Sequence, residues 1–445
     1  MDFDVTFLSH AQPRDCGDYR HRTLWPAQAL GELVTTTAIQ TTHPDLLSAL
    51  AQTRLLVVGM VVDADVLALI EHRSSVGLPT VYEISDDYRD VPANTELHAY
   101  YSRPDVQSLI EQMALACDAV QYSSPFLAEK YKRLSGQRAV FMNEVWEVGP
   151  LADCRPATPR GVGWTGSAGH VDDAERLAGL LQHASGVWGS ASLFDQMRFS
   201  VMTSSRIAQC FTSRGVPVSH TPMGSWEEYL QFIGGIQVGL AILGETDFAQ
   251  GRSDGKYIEY ASCGVAALCH ESGTFAHTIR HGENGLLYAN EQEFVEGLRG
   301  LVTNDDLLMR IRAGAHQDLM ERRNHKAAAS RRLDFYGQLV ESTQSSPLAH
   351  SRSPLKASPG EVEVIHAIEA ELMSVMREHN LRPTGKTLQR YHHLTKQAPD
   401  CYRIWERFAA LYAQLGLTDQ TARLAQRVER TKAAALSAAL QPAGG

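Results

Sequence analysis

Arg252, Lys256 and Glu259 stand four and then three residues apart in the stretch Ala249–Tyr288. On a helix that spacing stacks them along one face. Ser253 and Asp254 just before them are N-cap residue types, so a helix is predicted to start near Ser253. The free N–H groups and partial positive charge of a helix start suit an anion. Two cations at that end make a diphosphate site, and Glu259, one to two turns in, can accept hydrogen bonds from a ribose diol. A solvated face with an Arg–Glu ion pair would give the same stripe. The stripe lies, however, between two apolar runs, Ile236–Leu243 and Val265–Cys269. That places it at the carboxyl edge of a parallel sheet, where α/β proteins bind ligands.

Three further groups could join this chemistry. Thr165–His170 is a Gly/Ser turn between a strand and a helix, and Gly166 and Ser167 can present N–H groups to phosphate. Asp86 and Asp87 follow the strand Leu78–Ile84. Two carboxylates there can bind acceptor hydroxyls or steady a developing charge, or simply cap the next turn. The polar loop Ala11–Arg22 follows the first strand, Val5–Ser9, and offers Tyr19, Arg20 and Arg22 as substrate contacts, with a charged surface loop as the alternative. Asp63-Ala-Asp65 looks like a metal motif but precedes the apolar helix Val66–Ile70, so it is read as a cap.

The order F-x-x-x-[RK]-S-x-x-K-Y-x-E-Y-x-x-x-G, an apolar strand and then H-G-x-N-G-L-L resembles the nucleotide-sugar domain of GT-B glycosyltransferases, in particular the retaining family 4 type. The matching residues are Phe248, Arg252, Ser253, Lys256, Tyr257, Glu259, Tyr260, Gly264, Gly282, Asn284 and Gly285. The resemblance implies a transferase that moves a sugar from a UDP- or GDP-sugar to an acceptor hydroxyl, with retention and without metal or other cofactor. It implies that Gly166, Ser167, Arg252, Ser253, Lys256, Tyr257, Glu259 and Gly273 hold the donor. Arg252 and Lys256, with Asp86 and Asp87, would then serve catalysis. Many members carry a second glutamate eight positions before the ribose-binding one; here that position is Gly251, with Glu245 and Asp247 nearby. The turn at Gly273 also lacks the usual double glycine. A GT-B epimerase, a phosphorylase and a non-catalytic scaffold are the competing readings.

Strand–helix alternation predicts an α/β fold of two Rossmann-like domains. The first covers residues 1–146, with a Pro/Gly-rich hinge at 147–160. The nucleotide-sugar domain covers 161–341 and ends in a helix, Ala327–Leu339, that resembles the family's cross-over onto the first domain. A Ser/Pro-rich linker, 342–360, leads to a helical, tetratricopeptide-like tail, 361–445. The tail is expected to be an accessory module that does not dock firmly, serving a homo-oligomer, a protein partner or acceptor positioning. Over 445 residues the net charge is −10, which gives no basic character for nucleic acid. The seven scattered cysteines fit a reduced, cytoplasmic protein. No apolar run approaches the roughly 20 residues of a membrane span.

Overall fold

The computed structural model describes residues 3–13, 16–95, 97–146, 151, 159–189, 192–343, 359–381 and 383–440. It contains two six-stranded, wholly parallel sheets flanked by helices, as the alternation predicts. The first runs β1 (Asp4–Ser9), β2 (Thr35–Gln40), β3 (Leu55–Gly59), β4 (Thr80–Ile84), β5 (Ala119–Tyr122) and β6 (Arg138–Val140). Its spatial order is β2-β1-β3-β4-β5-β6. The second comprises β7 (Arg160–Gly166), β8 (Met197–Thr203), β9 (Ser219–Thr221), β10 (Val238–Ala241), β11 (Ala266–His270) and β12 (Leu286–Tyr288), in the order β12-β11-β10-β7-β8-β9. Chain direction across the second sheet therefore reverses between β7 and β10, and a crevice opens outside their carboxyl ends.

The strands with unbroken apolar runs are covered on both faces. Every residue of β4 and β11 is buried. Such runs are what a parallel sheet between two helix layers requires. Edge strand β2 has no counterpart among the expected elements. Its sequence TTTAIQ is largely accessible and carries no apolar run to mark it.

Helix His325–Ser342 packs on the first domain. Its Tyr336, Leu339 and Val340 join the first domain's buried cluster with Val5, Phe7, Leu55 and Val57. The Tyr336 hydroxyl donates to Gln121 Oε1 of β5 at 2.7 Å. Residues 147–150 and 152–158 of the expected hinge, and 344–358 of the expected linker, lie outside the described residues.

The tail corrects its expectation. It forms helices Pro359–Leu381, Gly385–Gln397, Tyr402–Gln414 and Thr418–Leu440, and the last packs against the first-domain helix Leu46–Gln52. Tyr402 and Ala439 are buried in one cluster with Leu46, Leu47 and Leu50. The Asp-x-Asp segment is the charged half of the joint. Asp63 caps helix Ala64–Ser75 through the N–H groups of Asp65 and Val66, as read, and also pairs with Arg403 at 2.7 Å. Asp65 pairs with Lys432 at 2.7 Å and accepts from Tyr402 Oη at 3.0 Å. A polar linker says nothing about docking when the helices beyond it carry the apolar contact. A chain ending at Thr343 is accordingly expected to lose about 5 °C in Tm, measured by calorimetry, because it bares this cluster. An unchanged Tm would return the tail to a loose appendage. Among the described residues no helix is long and apolar enough to cross a membrane.

Candidate functional site

A cavity of about 530 Å³ opens between the two domains, at the carboxyl ends of both sheets. Residues after β1, β4, β5 and β6 line one wall, and residues after β7, β9, β10 and β11 line the other.

The helix bearing Lys256 and Glu259 runs Gly255–Ser262, with Asp254 at its N-cap position. Asp254 does not cap it. Its buried carboxylate instead accepts from Arg323 at 2.8 and 3.0 Å and from Thr278 at 2.7 Å. Arg252 is off the helix altogether. A short helix, Asp247–Gly251, ends just before it, and Arg252 itself is extended (φ −68°, ψ 151°). Its guanidinium packs over the Phe248 ring at 5.5 Å.

Arg252 and Lys256 nonetheless converge. Arg252 Nη2 and Lys256 Nζ each lie 3.2 Å from His170 Nε2. His170 Nδ1 bonds Asp173 Oδ2 at 2.7 Å. The proton therefore sits on Nδ1, and the Nε2 lone pair faces the cations. Burial, then Lys256 and Arg252, hold the pKa of His170 down to about 3. Burial, then the Arg252 charge, bring Lys256 down to about 8. No carboxylate among the described residues is within ion-pair distance of either cation. The only sequence signal for His170 is a histidine three residues before an aspartate at a helix start.

Gly166 and Ser167 line the cavity beside this group. A Cβ at Gly166 would run into the Trp164 ring and come within 3.0 Å of His170 Cβ, so the turn can form only around a glycine. Gly166 O accepts from Thr203 Oγ1 at 2.6 Å. Ser253 lines the cavity too, and its Oγ accepts from Asn143 Nδ2 of the first domain at 3.1 Å.

Glu259 marks the other end. Its Oε2 accepts from Tyr229 Oη at 2.5 Å, and its Oε1 lies 3.1 Å from His21 Nε2. His21 Nδ1 lies 3.3 Å from Glu144 O. Both partners of this buried imidazole are oxygen acceptors. Around them Trp226 stacks on Tyr229, with ring centroids 5.3 Å apart, and meets Trp25 edge-on at 5.5 Å. His21 was not singled out in the sequence, because its partner lies in the other domain.

The remaining candidates divide. Asp86 lines the cavity, and burial pushes its pKa up to about 6, against the pull of Arg252. Asp87 does not reach the cavity. It is fully buried, pairs with Lys130 at 2.6 Å and accepts from Tyr131 Oη. The expected loop Ala11–Arg22 is helical from Gly17, through Gly17–Tyr19 and a π-helical turn, Arg20–Leu24, into Trp25–Leu30. Tyr19 is turned into the core, Arg20 lies over the Trp226 ring at 5.3 Å, and Arg22 lines the cavity. Tyr257 is buried in the second domain's core. Gly273 takes φ +51°, and its N–H donates to Gln250 Oε1 at 2.8 Å, so it braces a turn away from the cavity wall.

Gly251 is pressed against the first domain. A Cβ there would lie 3.0 Å from Leu127 Cδ2 and 3.3 Å from Asp87 Cβ, so a glutamate would have to push these neighbours aside. Asp247 is taken by Lys130 at 3.0 Å, and Glu245 lines a neighbouring cavity. Neither stands in the main cavity in its place.

No family model and no curated protein matches this chain. Solved structures do. The structure of Anabaena Alr3699/HepE in complex with UDP and glucose is 11% identical, with 76% of this chain and 100% of that one covered and a TM-score of 0.55. Sucrose-phosphate synthase (tll1590) from Thermosynechococcus elongatus is 11% identical over 76% of this chain and 100% of its own, with a TM-score of 0.57. A glycosyltransferase from Rickettsia africae ESF-5 is 12% identical over 76% and 99%, with a TM-score of 0.51. At such identities the likeness is one of architecture. The fold is GT-B.

Proposed function

We propose that this GT-B chain is a glycosyltransferase (a hexosyltransferase of the EC 2.4 type) that takes a sugar from a nucleotide-diphosphate donor. The observation that carries this is the meeting of Arg252 and Lys256 on His170 in the interdomain cavity. Two half-buried cations beside a neutral imidazole repel one another, and an anion between them relieves that repulsion. Cleaving a sugar–phosphate bond leaves negative charge on the diphosphate, and preorganised cations there lower the barrier. Gly166 and Ser167 would add N–H groups, Ser253 and Gly255 the helix start, and Glu259 the ribose contact. Asp86, across the cavity, would orient the acceptor hydroxyl. The two cations do the work of a metal, so transfer is taken to be metal-independent, with no cofactor.

Retention of configuration rests on resemblance to family 4. Tyr257, Gly273 and Asp87 act here only by supporting the fold. Cys117, Cys210, Cys263, Cys269 and Cys401 are free thiols, which suits a reducing cytoplasm. The docked, tetratricopeptide-like tail is assigned to acceptor or partner positioning.

Thermal shift with UDP-, GDP-, dTDP- and CMP-sugars tests the reading. UDP comes first, because HepE was solved with it. One nucleotide series should raise Tm, and no response to any would sink the proposal. With the responding donor, sugar release should survive EDTA and the product anomer should match the donor's. Activity abolished by EDTA and restored only by a divalent ion would refute metal independence.

A further inference from the structure

Arg22 holds a position that an acceptor-side contact does not account for. It lies on the π-helical turn Arg20–Leu24 of the first domain. Its Nε donates to Glu83 Oε1 at 2.8 Å, and its Nη1 donates to Phe141 O at 2.8 Å and to Asn143 Oδ1 at 3.1 Å. Nη2 has no partner although the residue is only 7% exposed. That nitrogen belongs to a side chain that lines the main cavity. Three N–H groups thus fix the guanidinium plane and leave two for a ligand. A buried donor is costly unless something accepts from it.

The surroundings indicate what accepts. Asn143, the residue Arg22 holds, donates its Nδ2 to Ser253 Oγ at 3.1 Å. A Cβ on Gly255 would be 3.4 Å from the same Nδ2. Arg22 is therefore one side chain away from the start of helix Gly255–Ser262, in the cavity that Arg252 and Lys256 also line. Glu83 holds Nε, Phe141 and Asn143 hold Nη1, and Nη2 keeps two coplanar, charge-assisted N–H donors for phosphate oxygens.

We infer that Arg22 donates its Nη2 N–H groups to the donor diphosphate across the cleft, so that the first domain supplies a third cation to the leaving group. This rests on the reading of the cavity as a nucleotide-sugar site. It makes that site complete only when the two domains face one another, and it moves Arg22 from the acceptor to the donor.

Titration calorimetry with UDP or GDP, whichever raises the wild-type Tm more, and with the corresponding nucleoside, tests it. Arg22→Lys keeps a charge for Glu83 but loses the Nη2 donors. It should bind the diphosphate roughly tenfold more weakly and the nucleoside as well as wild type does. Arg22→Gln combined with Glu83→Gln removes the cation without stranding a buried carboxylate, and should show the same split with a larger loss. Unchanged diphosphate affinity in both variants would overturn the inference and leave the proposed function standing. Equal weakening of diphosphate and nucleoside would overturn it too, since the effect would then come from the fold. A wild-type protein that binds neither UDP nor GDP would overturn both.

Discussion

Lys256→Ala should lower turnover about a hundredfold to a thousandfold, the usual effect of removing one preorganised donor from a developing oxyanion. Ground-state nucleotide affinity should fall much less, because charge on the diphosphate peaks as the sugar bond breaks. Fold damage would not account for such a loss, on sign grounds alone. The folded pKa of Lys256, about 8, lies below that of a free lysine. The unfolded chain therefore binds more protons between that value and about pH 10.4, and stability rises with pH through this window. At pH 7 the buried charge is a cost, and its removal should leave Tm level or higher. The same shift sets a pH profile. kcat/KM reports the free enzyme and should fall above about pH 8 as the ammonium deprotonates. Lys256→Arg should move that limb to higher pH, since a guanidinium stays charged. A rising limb near pH 6 is expected from Asp86, whose pKa is pushed up to about 6, and should vanish in Asp86→Asn. Wild-type turnover in Lys256→Ala would remove the cation pair from the mechanism. Arg252→Ala need not add to it, because both cations share one neighbour, His170.

Glu259→Ala should weaken nucleotide binding at least about tenfold, since hydrogen bonds to a charged group are worth roughly 1.5–3 kcal/mol each. An unchanged Tm would separate a ribose contact from a structural ion pair only if the carboxylate had no partner within the protein. Tyr229 and His21 both lean on this carboxylate, so truncating it also strands a half-buried hydroxyl and a buried imidazole, and Tm should drop. His21→Ala provides the control. It cuts the same interdomain contact yet leaves the carboxylate, so Tm should drop while nucleotide affinity holds or improves. Matching losses of affinity in the two variants, tracking Tm, would reduce Glu259 to a domain fastener.

The sequence by itself determined the elements and their class. Runs such as Leu55–Gly59 and Ala266–His270 are apolar without alternation, which only a sheet covered on both faces accommodates. The glycine-bounded turn at Gly166 and the three-residue interval from Lys256 to Glu259 were equally legible, because both depend on backbone geometry within one element. The threonines of β2 carried no such signal.

Only the tertiary structure decided which charges meet. Arg252 and Lys256 do not share a helix face; the helix break at Gly251 separates them, and His170, delivered by the end of β7, brings them together. Asp86 and Asp87 are neighbours in sequence, but one faces the cavity while the other is buried against Lys130 and Tyr131. His21 reaches Glu259, and Arg403 reaches Asp63, from distant parts of the chain. Periodicity is set by a few consecutive residues, so it survives reading along the chain. An ion pair depends on two segments arriving at one place, and that is fixed by which strand ends and helix faces the packed core leaves side by side.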